Sequence, residues 1–171
     1  MSSLFPHTSY AEDQPFSHEL LYFHVVRSST MMCSFASLFT APVSLLVSRY
    51  RHKSPVNFST FVPRLLTHSG RGMVFGAALG GLMTWGRMRG REEIEWQDRA
   101  WRLLENESQK NTDWTALGGA AAGAVAGAVA ARRGVVPFGI GKAALGGAGI
   151  GMGIGGPGYM IASSARGREQ R

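Results

Sequence analysis

The sequence predicts an all-α membrane protein, a polytopic bundle of about four glycine-zipper transmembrane helices with one short amphipathic helix. Three observations predict this fold class. Four long segments are almost free of charge, and all 23 glycines of the 171 residues occur from Gly70 onward, among Ala, Ile, Leu and Met. Many of these glycines also repeat every four residues, which is a helical spacing and not that of a flexible linker.

The first span is predicted at residues 28–48, which carry no charge. About 20 apolar residues are enough to cross the hydrocarbon core of a bilayer. Residues 1–27 form a polar N-terminal segment, and residues 28–171 form the membrane domain. The acidic residues Glu12, Asp13 and Glu19 in the first segment are unlike an Arg-rich transit peptide, so we expect an internally targeted protein.

The second span is predicted at residues 72–88, where the uncharged part is short. Arg71 and Arg87 at its ends can extend toward the headgroups, and Trp85 suits the interface. Residues 49–71 before it contain basic residues and prolines but no acid, so we expect a basic loop against the membrane surface.

An amphipathic segment is predicted at about residues 91–110, where Ile94, Trp101 and Leu104 share one helical face. Such a helix lies on a membrane or against a partner, or it is a solvated connection with a small apolar seam. Asp113 is predicted to be the N-cap of the third span, residues 114–131.

The fourth span is predicted at residues 137–163, with Lys142 as its single charge. A lysine there either extends to the near interface or has a function. Pro157 leaves open whether the segment is one helix or two pieces.

Rows of small residues predict where these helices pack. Residues four apart lie along one helix face, and a row without side chains lets a neighbouring backbone approach closely. The alternatives are a soluble or fibrous glycine-rich domain, or one or two spans with a disordered tail. The predicted packing residues are Gly72, Gly76, Gly80, Gly119, Gly123, Gly127, Gly147, Gly151 and Gly155.

Basic residues beside the spans predict contact with an anionic phospholipid such as cardiolipin. They flank apolar segments and do not form a basic face with stacking aromatics, so we expect no nucleic-acid partner. Their net charge favours placing them in the negative compartment, with both termini on the other side. The predicted headgroup contacts are Arg49, Arg51, Lys53, Arg71, Arg132 and Arg133.

The sequence predicts no catalytic site, metal site, cofactor or small-molecule substrate, so we do not expect an enzyme. The five histidines are scattered, and Cys33 in the first span is interpreted as a small packing residue. The stretch around Lys142 lacks the first glycine and the Ser/Thr of a phosphate-binding loop.

Two resemblances to known families suggest a membrane and a protein complex for this chain. The glycine rows from Gly70 onward resemble the mitochondrial inner-membrane translocase fold family. The block FSHELLYFHVVRSST at residues 16–30, followed directly by a span, resembles the fungal NUXM-type accessory subunits of respiratory complex I. This second resemblance implies a multi-pass protein of the mitochondrial inner membrane, without cofactor, that contacts core and accessory membrane subunits of complex I and lipid. The alternative is a subunit of an inner-membrane protein translocase or channel.

Overall fold

The computed structural model describes residues 5–53 and 55–169, and this part of the chain is helical and contains no strand. Residues 1–4 of the predicted N-terminal segment and the last two residues of the predicted membrane domain lie outside it. A 3-10 turn at Ala11–Asp13 precedes five helices. These are α1 (Ser17–His52), α2 (Phe58–Met88), α3 (Glu93–Glu105), α4 (Glu107–Arg132) and α5 (Ile140–Glu169).

Helix α2 is 31 residues long and begins well before the predicted second span. Asn57 and Thr60 form a capping box: the Asn57 side chain accepts from the Thr60 backbone N–H at 3.0 Å, and the Asn57 N–H donates to Thr60 Oγ1 at 3.2 Å. This cap fixes the helix start. The predicted basic loop at residues 49–71 is therefore wrong, because its two ends are helical and the connection covers only residues 53–57.

Helix α4 begins at Glu107, so the prediction that Asp113 caps the third span is wrong. The cap is Asn106, whose side chain accepts from the Gln109 backbone N–H at 3.0 Å. Asp113 lies in the second turn of the helix, where its carboxylate is available for a contact with another helix.

Helix α5 is one continuous helix with Pro157 inside it. It starts three residues after Pro137, at the end of a turn that follows α4. Gly134 ends α4 with a positive φ of 69°, and its N–H donates to the carbonyl of Ala131 at 3.1 Å. Glycine adopts this left-handed conformation without steric cost, as is common after a helix.

The four long helices form two antiparallel pairs, α1 with α2 and α4 with α5. Helix α5 also contacts α1 and α2, so it joins the two pairs. The connections at residues 53–57 and 133–139 therefore lie at the same end of the bundle, which we call the loop end. The opposite end holds α3 and the start of α1, and we call it the α3 end.

Helix α3 packs on the α3 end through Trp96, Ala100 and Leu104, which are buried with Leu20 of α1 and Met88 of α2. The apolar face of this amphipathic helix therefore covers its own chain. The predicted face was partly wrong, because Ile94 is 42% exposed.

Among the described helices, α1 over Ser17–Arg51 and α4 over Glu107–Arg132 are long and apolar enough to cross a membrane. Four spans are therefore not established by length and composition. Charged and polar residues in the first half of α2 and the many glycines of α5 lower the hydropathy of these two helices.

Candidate functional site

Three of the six glycines of α2 lie against the backbone of α1. A Cβ atom added to Gly76 would lie 2.6 Å from the Cα of Thr30, and one added to Gly80 would lie 2.6 Å from the Cα of Val26. At Gly72 the nearest atom would be the Cys33 carbonyl oxygen, at 2.8 Å. These distances leave no room for a side chain, so the α1/α2 contact is a backbone-to-backbone contact.

The contact of α4 with α5 is closer still. Gly119, Gly123 and Gly127 lie opposite Gly151, Gly147 and Ala143, and a Cβ on any of these three α4 glycines would overlap a carbonyl oxygen of α5. Gly155 continues the row, with the Thr115 carbonyl oxygen 2.5 Å from where its Cβ would be. All nine glycines singled out in the sequence thus lie at helix-to-helix contacts.

A second glycine row on α5 was missed in the sequence. A Cβ at Gly149 would lie 2.5 Å from the Ser69 carbonyl oxygen of α2, and one at Gly153 would lie 2.9 Å from the Phe35 backbone nitrogen of α1. Gly146 contacts Leu66 of α2 in the same way. The signal was present, since alternate glycines from 149 to 155 place two rows on different faces of one helix.

Other glycines on the same helices have free space around them. A Cβ at Gly118 in α4, at Gly86 in α2 or at Gly158 in α5 would meet nothing within 4 Å. Close helix approach is therefore a property of particular rows and not of glycine content. These positions provide matched controls for substitutions in the rows.

A buried ion pair links α1 to α4. Arg27 Nη2 lies 2.5 Å from Asp113 Oδ1, and the two side chains are 3% and 4% exposed. Gln109 Nε2 donates to the same carboxylate oxygen at 2.8 Å, and Arg27 Nη2 also donates to Ser28 Oγ at 2.8 Å. A buried charge is tolerated only with partners of this kind.

The ion pair was also missed in the sequence, where Arg27 was placed in the polar N-terminal segment and Asp113 at a helix cap. Each is a single charge directly before an uncharged segment, one basic and one acidic. Two single charges of opposite sign, each at the start of an uncharged segment, are the sequence signal from which this ion pair could have been predicted. Arg27 Nε and His24 Nδ1 are buried there without a hydrogen-bond partner among the described residues.

Arg64 of α2 contacts α1 near the loop end. Its Nη1 donates to the Ser44 carbonyl oxygen and to Ser48 Oγ, each at 2.7 Å. This guanidinium is held between two helices, so it is not a free basic charge on a loop. It fixes α1 against α2 beyond the last glycine contact at Gly72.

Glu93 of α3 lies against the first turn of α1. Its carboxylate oxygens accept from Ser17 Oγ at 3.0 Å and contact His18 Nε2 at 2.8 Å, and these hydrogen bonds lower the pKa of Glu93. The His18 ring stacks on Trp96, with ring centroids 3.8 Å apart. These contacts hold α3 on the bundle.

The six predicted headgroup residues are all exposed but do not lie together. Arg49, Arg51 and Lys53 end α1, and Arg132 and Arg133 end α4, so these five lie at the loop end. Arg71 lies within α2. Arg71 and Lys142 both line one groove. The Nζ of Lys142 lies 4.1 Å from the centre of the Phe138 ring.

The described residues contain no group of three His, Cys, Asp or Glu side chains placed to hold a metal ion. The arrangement consists of close helix contacts, one buried ion pair and exposed basic side chains.

A family model described as Protein of unknown function (DUF1757) matches residues 14–156. The match includes the nine predicted glycines, the second α5 row, and both members of the ion pair. No curated protein matches the chain.

Proposed function

We propose that the chain, which belongs to the family described as Protein of unknown function (DUF1757), is a non-catalytic accessory subunit of the membrane arm of mitochondrial complex I. In this proposal it is a multi-pass protein of the inner membrane. It supports assembly and stability of NADH:ubiquinone oxidoreductase through helix packing and lipid contacts. The resemblance of residues 16–30 to NUXM-type subunits supports the choice of complex.

The observation that carries the proposal is the apolar outer surface of the bundle. The long helices pack through glycine, so their large apolar side chains point outward. A surface of this kind requires lipid or a partner protein to cover it. Examples on the four long helices are Phe39, Val43 and Leu46, Phe75, Leu82 and Met83, Val125 and Val129, and Ile154 and Ile161.

A structural role is supported by the ion pair. Asp113 accepts from both Arg27 and Gln109, so the carboxylate is used in joining helices. Candidate catalytic groups lie instead in clefts where substrate can reach them. The glycine rows leave the bundle closely packed at its centre and apolar outside, which suits a subunit that fills space between larger membrane proteins.

The alternative proposal is a subunit of an inner-membrane translocase or channel. The observation that favours it is a small pocket of about 320 Å³ between α1 and α2, lined in part by Ser37, Thr40, His68 and Arg71. A path for a polypeptide requires polar side chains facing a water-filled groove. The walls of this pocket and of the other pockets against α2 are mainly apolar, so we favour the accessory role.

Mass spectrometry across a native gel of mitochondria solubilised in mild detergent tests the proposal. The accessory role predicts that the chain migrates with NADH dehydrogenase subunits. Migration with the import machinery would favour the translocase instead, and migration with neither would contradict both.

The same gel tests the packing surfaces. Gly76→Leu and Gly123→Leu each place a side chain against a backbone and are expected to lower the amount of assembled chain. Gly86→Leu and Gly118→Leu are the matched controls, because a Cβ there meets nothing within 4 Å. Normal assembly of a chain with both Gly76→Leu and Gly123→Leu would contradict the packing role.

A further inference from the structure

A groove of about 490 Å³ runs between α2 and α5 on the outside of the bundle. Two cationic side chains, Arg71 and Lys142, line it together with Thr67. The rest of its wall is apolar and includes Val74, Phe75, Ala78 and Leu145.

The two cations of this groove have no acidic partner. Neither Arg71 nor Lys142 forms an ion pair with a described residue. The sequence contains no Asp or Glu between Glu19 and Glu92, and none between Asp113 and Glu169. No acidic side chain among the described residues therefore neutralises these two positive charges, and the groove attracts an anion.

The order of groups along the groove matches an amphiphile. Helices α2 and α5 run parallel here, since Gly146 contacts Leu66 and Gly149 contacts Ser69. Lys142 therefore lies toward the loop end and Arg71 further in, with Val74, Phe75 and Ala78 beyond Arg71. From Leu66 to Ala78 the α2 wall is about 18 Å long at 1.5 Å per residue. The half of the groove toward the loop end therefore holds both cations and Thr67 together with Leu66 and Leu145, and the half beyond Arg71 is lined by apolar side chains alone.

We propose that this groove binds one anionic phospholipid. Its phosphate lies between Lys142 and Arg71, with Thr67 as a hydrogen-bond donor, and one acyl chain lies along Val74 and Ala78. A soluble anion would use the cations but leave the apolar strip exposed, and a neutral lipid would leave both cations unpaired. This inference rests on the membrane placement in the proposed function, and it defines one site among the expected headgroup contacts.

Native mass spectrometry of the full chain in detergent tests the site. Phosphatidylglycerol and phosphatidylcholine with the same acyl chains are added separately, and inorganic phosphate is added as a competitor. The wild type is expected to retain one phosphatidylglycerol and much less phosphatidylcholine, and free phosphate is expected not to displace the lipid. Displacement by free phosphate, or equal retention of the two lipids, would overturn the inference.

Variants test whether lipid binding depends on this groove or on the basic surface as a whole. Lys142→Gln and Arg71→Gln are each expected to weaken phosphatidylglycerol retention about fivefold, since a basic residue near anionic lipid contributes about that factor. Ala78→Phe, which fills the apolar strip and keeps both charges, is also expected to weaken it. Arg132→Gln at the same end is the comparison: Arg132 is another exposed headgroup candidate but does not line the groove, so its loss is expected to weaken retention less than that of Lys142.

Equal losses for Arg132→Gln and Lys142→Gln would show a diffuse basic surface and overturn the site. Circular dichroism of each variant checks that the helices are intact. Both cations are exposed and form no ion pair with a described residue, and the contact of Lys142 with the Phe138 ring lies at the surface, so the packing between helices is expected to stay unchanged. A chain that stays in the membrane but binds lipid independently of these residues contradicts only this inference. A chain that does not associate with membranes contradicts the proposed function as well.

Discussion

Arg27 on α1 and Asp113 on α4 form an ion pair that is almost completely buried where the two helix pairs meet. Gln109 adds a second hydrogen bond to the carboxylate, and Ser28 adds one to the guanidinium. The glycine rows predicted from the sequence hold each helix pair together, whereas this ion pair and the second glycine row of α5 join one pair to the other. Removal of one partner leaves a buried charge without compensation.

Breaking the ion pair is expected to destabilise the bundle strongly, and removing both charges much less. Arg27→Met or Asp113→Leu alone should lower the free energy of unfolding by about 3–5 kcal/mol, and the double variant should lie near the wild type. Thermal unfolding in detergent, followed by circular dichroism, measures this. Arg102→Ala, which removes an exposed ion pair with Asp98, is the control and should change stability by less than about 1 kcal/mol. A double variant as unstable as the sum of the single variants would contradict this role.

The smallest possible side chain is expected to disturb the α4/α5 contact. Gly123→Ala places a methyl group against the Gly147 carbonyl, and the overpacking should cost about 1–3 kcal/mol. Gly118→Ala on the same helix meets nothing and should be neutral or slightly stabilising, because alanine favours helix more than glycine does. The midpoints of thermal unfolding of the two variants compare them directly. Equal midpoints would show that α4 and α5 are not in close contact.

The second glycine row on α5 is expected to be as sensitive as the first. Gly149→Ala places a methyl group against the Ser69 carbonyl of α2, whereas Gly158→Ala on the same helix has free space. We expect Gly149→Ala to lower the unfolding midpoint and Gly158→Ala to leave it unchanged. If the midpoint of Gly149→Ala matched that of Gly158→Ala, α5 would not pack closely against α2.

The contact of α3 with α1 is expected to depend on pH through Glu93. Its pKa is below the usual value of 4.5, first because His18 hydrogen-bonds to the ionised form and second because Ser17 does. The stabilisation is therefore present above that value and is lost as the pH falls through the lower folded-state pKa. The difference in unfolding midpoint between wild type and Glu93→Gln should shrink on acidification. Glu92→Gln, an exposed neighbour, is the control. A difference that stays constant to strongly acidic pH would contradict this account.

The sequence predicted the helical class and the glycine rows because both depend on local spacing. Gly76, Gly123 and Gly147 are four or eight residues from other small residues, and that period alone places them on a common face. Which helix each face contacts depends on the path of the chain. The period of four also marks Gly149 and Gly153 as a row, but their contacts with α2 and α1 depend on that path.

The wrong predictions concern features that depend on residues outside the uncharged segments themselves. The extended start of α2 depends on the capping box of Asn57 and Thr60, which a search for uncharged segments does not detect. The role of Asp113 depends on Arg27, far away in the sequence, so a local rule assigned it to a cap instead. Membrane crossing by α2 and α5 also stays a prediction, since composition indicates only α1 and α4 as candidate spans.

Membrane insertion is the central claim, because the accessory role and the lipid groove both require it. Extraction of mitochondrial membranes with alkaline sodium carbonate tests it most directly, since peripheral proteins are released and integral proteins stay in the pellet. The account predicts that the chain stays in the pellet and is released only by detergent. Recovery of the chain in the carbonate supernatant would contradict the account, and the apolar outer surface would then have to be covered by protein alone.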